Sequence, residues 1–293
     1  MDDSDARGRI YTPRAQFREP WEAEASLRLR AGQREPLDRY AAHGRIHTGD
    51  PDKVQQRMLD DWEQAHRDRV SYAFSVPTVE QANQLSQRAQ QRRIEAGELD
   101  RDRHIATERG QRLYVGDMVA TRANEGRREM VKGGRVRNRE RWTVTAINRD
   151  GSVTLTRQGT SRTVEVSREY ASRHVELGYF STVHAVQGRT VERGGTLVDE
   201  NAGFRSVYVG MTRGVEVNRA YVIAPDKVDG RDVVERAMLR DRADLGVLAQ
   251  QRTLEEVARR REAELRRKLG RPLNALERAR ARELGDLGHG REL

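Results

Sequence analysis

Cysteine is absent from the 293 residues, which excludes a disulfide framework, a thiolate zinc site, an iron–sulfur cluster and a cysteine nucleophile. No apolar run approaches the ~18 residues that a membrane-spanning helix needs. The opening MDDSDARGRI is acidic with no apolar stretch behind it, unlike a secretory signal. A cytoplasmic protein without a membrane span is the default expectation. Aromatics make up only 5% of the chain, so a surface built for stacking bases is not apparent. Lysine is scarcer still: Lys53, Lys132, Lys227 and Lys268 are the only lysines among 55 basic residues, and the rest are arginines.

What the chain has instead is charge. Charged residues reach 34% against 35% hydrophobic ones, a polar balance that implies extended helix or solvated surface in part of it. The length suggests about two domains at ~150 residues each. The formal net charge is +9 and the pI is near 10.2. Arginine in excess is the footprint of a nucleic-acid binder, because guanidinium groups grip phosphates bidentately. A genome rich in G and C also yields arginines, so the distribution decides. Residues 1–100 carry a net −2 and residues 174–250 a net −1, whereas 101–173 carry +8 and 251–293 carry +4.

The +8 segment also differs in period. From Leu113, LYVGDMVATRAN, RWTVTAINRDGSVTLTR and SRTVEVSREY alternate apolar and polar residues and are broken at Gly116-Asp117, Gly133-Gly134 and Asp150-Gly151. This predicts four or five short strands forming a small barrel, with a type I′ hairpin at Asp150-Gly151 that needs positive φ at both central residues. On either side the pattern is α/β. Helical spacing joins Trp21, Ala25, Leu27 and Leu29 within 19–42, then Val54, Met58, Leu59 and Trp62 within 51–69. VSYAFSVP at 70–77 reads as a buried strand leading into a helix capped by Thr78. Further strands are expected at Thr196–Val198, Ser206–Val209 and Arg219–Ala224. The expected architecture is a mostly parallel α/β sheet interrupted by the barrel. After Asp232 an Arg/Glu/Ala/Leu-rich helical tail with a thin apolar stripe runs to a stop at Gly270-Arg271-Pro272. It reads as solvated, with partner binding as a second reading.

Two segments carry chemistry: STVHAVQGRTV at 181–191 and SVYVGMTRGVEVNRAYVI at 206–223. In the first, a Ser/Thr-rich turn precedes His184, Gln187 and Gly188. In the second, an apparent strand runs into Arg213 between Gly210 and Gly214, which would place the guanidinium at the carboxyl end of the sheet, where open α/β sheets bind ligands. Such an arginine is suited to reach a transferring phosphate.

STVHAVQGRT resembles motif V, and YVGMTRG motif VI, of superfamily 1 helicases of the RecD-like branch. The wording is similar to that of the helicase portion of conjugative relaxase-helicases of the TrwC and TraI kind from actinobacterial mobile elements. The resemblance covers residues ~14–225 and implies a second RecA-like domain, split into 51–105 and 176–230, around an SH3-like barrel at 106–175. A helical lead-in at 1–50 and a basic tail at 231–293 flank it. It further implies that Arg213 contacts the γ-phosphate of ATP bound on a first RecA-like domain, stabilising charge on the transferring group. Gln187, Gly188, Gly210, Thr212 and Gly214 would line or couple to that nucleotide. Thr182 and His184 would face single-stranded DNA. The barrel charge adds Arg122, Arg127, Arg128, Arg135, Arg137, Arg139 and Arg141 as phosphate contacts. Arg14 and Arg18 are candidates for the motif IV arginine. Tyr114 and Trp142, the aromatics within the expected barrel strands, read as core.

The pattern departs from a complete motor in one large respect. No lysine follows a glycine and precedes Ser or Thr, so the loop that cradles ATP phosphates is missing, as is the acidic pair that holds Mg²⁺. No metal ligand set is expected in these residues. ATP and Mg²⁺ would be held mainly by the first RecA-like domain, in another polypeptide or lost from this reading frame. Two readings follow: the C-terminal motor half of an ATP-dependent DNA helicase, or a non-catalytic DNA-binding remnant of one.

Overall fold

A computed structural model describes residues 19–31, 33–124, 130–225 and 228–240, together with 262–263, 266–267 and 269–272. Two helices come first, α1 (Pro20–Arg30) and α2 (Glu35–Ala42). The apolar spacing over 19–42 therefore belongs to two helices, and Leu27 is 45% exposed while Ala25 and Leu29 are buried. Next come β1 (Ile46–Gly49), α3 (Pro51–Arg67), β2 (Tyr72–Val76) and α4 (Val79–Glu95). Asp50 caps α3 by accepting from the Lys53 N–H, with Pro51 in the first turn. Thr78 caps α4, as the strand–Pro-Thr–helix pattern implies, and Gln81 completes a reciprocal capping box with it.

The chain then leaves this layer for β3 (Asp100–Ala106), β4 (Arg112–Val115), β5 (Met118–Thr121), β6 (Met130–Lys132), β7 (Arg141–Ile147), β8 (Val153–Arg157), β9 (Thr163–Val166), α5 (Arg168–His174) and β10 (Val175–Leu177). It returns through β11 (Ser181–Thr182), α6 (Val183–Val186), β12 (Val191–Val198), α7 (Phe204–Gly210), β13 (Gly214–Ile223) and α8 (Gly230–Leu239).

The first and last parts form one five-stranded sheet, β1-β13-β12-β2-β11, with every neighbouring pair parallel. Alternate side chains serve its two faces. Phe74, Leu197 and Tyr221 pack with Met58, Trp62 and Leu85 of α3 and α4. Val198, Ala220 and Val222 pack with Ala25, Leu37 and Tyr40 of α1 and α2 and with Val234 and Met238 of α8. A parallel sheet needs both faces covered in this way. The basic tail expected from residue 231 accordingly begins as a packed helix, because α8 closes one face.

Ser206–Val209, expected as a strand, is helical. β12 and β13 are parallel neighbours, so their connection must cross the sheet, and α7 is that crossover. The β-branched SVYV run is helical because Val207 and Val209 are buried against the sheet layer.

Between α4 and β11 lies the antiparallel insertion, ordered β10-β5-β7-β8-β9-β6, with the β3-β4 hairpin beside it. Trp142, Val144, Leu155, Val164, Val166 and Tyr170 fill its core, and Tyr114 is buried as well. The hairpin at Asp150-Gly151 forms, but only Gly151, at φ +85°, takes a positive φ. The Gly151 N–H donates to the Asn148 carbonyl, a three-residue turn closed by a left-handed glycine in place of the expected type I′ turn.

One buried carboxylate joins the two parts. Asp117, fully buried, accepts from Tyr179 Oη at 2.5 Å, Gln90 Nε2 at 2.6 Å and the Tyr114 N–H at 2.7 Å. Arg93 of α4 donates to Tyr179 Oη and to the Gly116 carbonyl. Trp62 meets the Tyr179 ring edge-on at 5.4 Å. Burial holds the Asp117 carboxyl above its ordinary range despite these donors. In the tail, Gly270 takes φ +62° and its N–H donates to the Arg266 carbonyl, the helix stop implied by Gly-Arg-Pro.

Candidate functional site

Arg213 lies in the tight turn between α7 and β13, so it sits at the amino end of the sheet and not at the carboxyl end. The reason is the same crossover: the element that leads into it is the helix α7, not a strand. Its guanidinium folds back on that turn, donating to the Val209 carbonyl at 3.1 Å, to Thr212 Oγ1 at 2.9 Å and to the Arg189 carbonyl at 3.4 Å. Its own carbonyl accepts from the Val191 N–H, which ties the turn to the start of β12.

The two glycines flanking Arg213 are close-approach positions. A Cβ on Gly210 would overlap the Thr196 side chain, and one on Gly214 would overlap the Val217 carbonyl. Gly214 is gripped on both sides by Asn218, whose Oδ1 accepts from its N–H at 2.7 Å and whose Nδ2 donates to its carbonyl at 2.8 Å. Asn218 Nδ2 also donates to Glu22 Oε1 of α1 at 3.0 Å. Glu22 is fully buried, and burial pushes its carboxyl up to about 7, against the pull of Asn218 and Arg45. Sequence patterning gave no sign of this support: a glutamate in the first turn of a helix normally reads as dipole compensation.

A pH prediction follows. The carboxyl has its ordinary value near 4.5 in the unfolded chain, so between pH 4.5 and 7 the folded state holds a proton that the unfolded state has released. Its stability contribution is complete at low pH and is lost as pH rises through that window, by about 3 kcal/mol at most. Urea unfolding should show Glu22→Gln more stable than the parent at pH 8 and nearly equal to it at pH 5. A parent–variant difference that is the same at both values contradicts this.

The 181–190 segment links the Arg213 turn to a second region. β11 pairs with the carboxyl half of β2, Ser181 opposite Ser75 and Thr182 opposite Val76. α6 then carries the chain back to the amino end, where Val191 lies opposite Gly214. Thr182 is half-buried at the second region, while His184 and Gln187 are exposed on the way. Gly188, at φ +79°, makes the reversal into β12 in a conformation that other residues resist.

At the β11 end a cleft of about 180 Å³ opens between the start of α4 and the antiparallel insertion. Thr182, Arg122, Arg139 and Arg141 all line it. Arg122 pairs with Glu176 at 2.7 Å. Arg139 takes φ +65° and donates to the His184 carbonyl at 2.9 Å, fastening the insertion to the 181–190 segment. Arg141 donates to Ser181 Oγ at 3.3 Å and to the Tyr72 carbonyl at 3.4 Å. Arg135 and Arg137 are exposed on the neighbouring loop and do not line the cleft. Arg127, Arg128, Arg14 and Arg18 lie outside the described residues. Phe180 reaches the cleft but is 2% exposed, so the cleft presents charge and hydroxyls and no stacking face.

No protein-family model matches the chain. It is 28% identical over 199 residues to the probable conjugal transfer protein TraA of Sinorhizobium fredii, across 67% of this chain and 18% of that protein. The conjugal transfer protein TraA of Rhizobium radiobacter is 28% identical over 202 residues, again 67% and 18%. Over two thirds of its length the chain is similar to TraA conjugal transfer proteins. The resemblance to conjugative proteins read from STVHAVQGRT and YVGMTRG is borne out by these TraA relatives, of which the chain spans only about a fifth. An uncharacterized protein of Mycobacterium tuberculosis is 34% identical over 88 residues, 30% of this chain and 51% of that one. Among solved structures, Bacteroides Pif1 bound to ssDNA aligns over 72% of this chain and 52% of that chain at 16% identity, with a TM-score of 0.43. No helix among the described residues is long and apolar enough to cross a membrane.

Proposed function

We propose that this chain supplies the second motor domain of an ATP-dependent helicase acting on single-stranded DNA in conjugative transfer. The observation that carries this is the 181–190 segment, which physically connects an arginine-lined cleft at one end of the sheet to the Arg213 turn at the other. Displacement of a strand phosphate in the cleft moves Thr182. The short α6 and the Gly188 reversal transmit that movement to the Arg189 carbonyl, which holds the Arg213 guanidinium. Release of that hold lets Arg213 reach the γ-phosphate of ATP and offset the charge that develops on it. Gln187, Gly210, Thr212 and Gly214 shape the turn from which it reaches. The triphosphate and Mg²⁺ are held by a first RecA-like domain that the present residues do not include, since they contain no Gly-Lys-Ser/Thr loop.

The cleft is tested by neutralising Arg122 and Arg139 together. Each phosphate contact to a single strand contributes about 0.7 to the slope of log K against log salt. Arg122→Gln/Arg139→Gln should therefore lower oligothymidylate affinity about tenfold at low salt and flatten the slope by about 1.4. Unchanged affinity and slope, measured by fluorescence anisotropy, would remove the cleft from the DNA path.

A further inference from the structure

A second cavity, about 580 Å³, opens at the amino edge of the parallel sheet and shares Arg141 with the cleft. Arg189 lines it together with Arg141, both half-buried, and both guanidinium groups converge on one carbonyl, that of Tyr72, at 3.4 Å. Arg141 also lies over the Tyr72 ring, 5.8 Å from its centroid. Among the described residues no carboxylate stands within 4 Å of either, and the acids at this edge are engaged elsewhere: Asp68 pairs with Arg193, and Glu192 accepts from Ser71. Two neighbouring half-buried cations with no anion between them are unfavourable by themselves. Burial and the charge of Arg189 both push the Arg141 guanidinium below its usual range, and burial does the same to Arg189.

Arg69 stands at the mouth of this cavity in an unusual backbone state. It occupies the position after the C-cap of α3 at φ +55°. Its N–H donates to the His66 carbonyl, and the Val70 N–H donates to the Ala65 carbonyl. That is the paired helix-stop motif in which glycine is the usual occupant. A long cation held there against its backbone preference is a feature found where a side chain is retained for what it binds. Thr143, Thr156 and Thr160 line the cavity as well; the Thr156 and Thr160 hydroxyls bond Thr145 Oγ1 and the Arg157 carbonyl.

We infer that this cavity binds a backbone phosphate of the DNA strand that leaves the cleft past Arg141, with Arg189 and Arg141 as its floor and Arg69 at its entrance. The inference goes beyond the ATP-coupled role of Arg213 and rests on the cleft reading only for the source of the phosphate. A phosphate supplies the counter-charge that the two guanidinium groups lack, and the Thr143 hydroxyl can donate to one of its remaining oxygens.

The test uses the full chain with Arg189→Gln and Arg69→Gly. Arg189→Gln should lower oligothymidylate affinity about tenfold and reduce the salt slope by about 0.7. Arg69→Gly should raise the melting temperature by about 2 °C through relief of the left-handed strain, yet weaken the same DNA several-fold; a purely structural arginine would not do both. Inorganic phosphate at millimolar concentration should raise the melting temperature of the parent and not of Arg189→Gln, and this readout stands even if the cleft does not bind DNA. Parent-like DNA affinity in both variants, with or without a phosphate-dependent shift, overturns the strand; a shift on its own assigns the cavity to a small phosphate.

Discussion

Arg213→Ala should lower single-strand-stimulated ATP hydrolysis by the assembled motor about 10³-fold, while DNA affinity stays within about twofold of the parent. The magnitude is that of an arginine finger, whose guanidinium offsets charge spread over the oxygens of the transferring phosphoryl group. DNA affinity should survive because the cleft is lined by Arg122, Arg139, Arg141 and Thr182, and Arg213 does not line it. The fold should survive too. The contacts that Arg213 makes with Val209 and Thr212 are local, the one with the Arg189 carbonyl is long at 3.4 Å, and the turn is separately fixed by the clasp of Asn218 on Gly214. Arg213→Lys should recover little of the rate, because an ammonium keeps the charge but not the planar fork. The rate comes from steady-state hydrolysis with saturating oligothymidylate and a first RecA-like domain supplied. A rate within tenfold of the parent would take Arg213 out of the chemistry.

Asp117→Ala should destabilise the protein by about 3–5 kcal/mol, the largest effect expected from a single change outside the proposed chemistry. Truncation strands three buried donors at once: Tyr179 Oη, Gln90 Nε2 and the Tyr114 N–H. Each such orphan costs about 1–3 kcal/mol, and water entering the space recovers part of it. Asp117→Asn keeps the shape and an acceptor for some of these donors, so its cost should be near half. Because Asp117 links α4 to the insertion, the cleft between them should loosen, and oligothymidylate affinity of the folded Asp117→Asn protein should fall with it. Urea denaturation reads the stability. An Asp117→Ala midpoint equal to that of the parent, with an unchanged slope, would mean that the joint is held by apolar packing instead.

The contrast between Asp117 and Thr78 shows what was legible in the sequence. The Thr78 cap works through local chain geometry, so it could be read directly, and the structure adds Gln81 as its reciprocal partner. The alternating segment from Leu113 likewise announced an antiparallel unit, because a two-residue period survives whatever it packs against. Asp117 gave no such signal beyond a turn, since its partners lie up to 62 residues away. The same holds for Glu22, which reaches Asn218 across 196 residues.

Ser206–Val209 failed for a different reason. Its β-branched composition fits a strand, but a parallel neighbour on each side of the connection demands a crossover, and topology overrode propensity. That error also moved Arg213 from the carboxyl to the amino end of the sheet. Its placement beside Gly210 and Gly214 was still informative, because both glycines are required by close approach. Net charge pointed to the insertion as a whole, whereas the structure gathers only Arg122, Arg139 and Arg141 of the described candidates into the cleft. Arg189, outside the charged segment and inside a motif, joins them only through the fold.

The proposed division of labour is tested most directly by single-strand-stimulated ATP hydrolysis, measured for this chain alone and for the chain mixed with a separately supplied first RecA-like domain. Neither part should hydrolyse ATP alone, and the mixture should do so in proportion to the limiting part. Hydrolysis by this chain alone, or an inert mixture in which the chain still binds the DNA, would contradict its role as the second half of a motor.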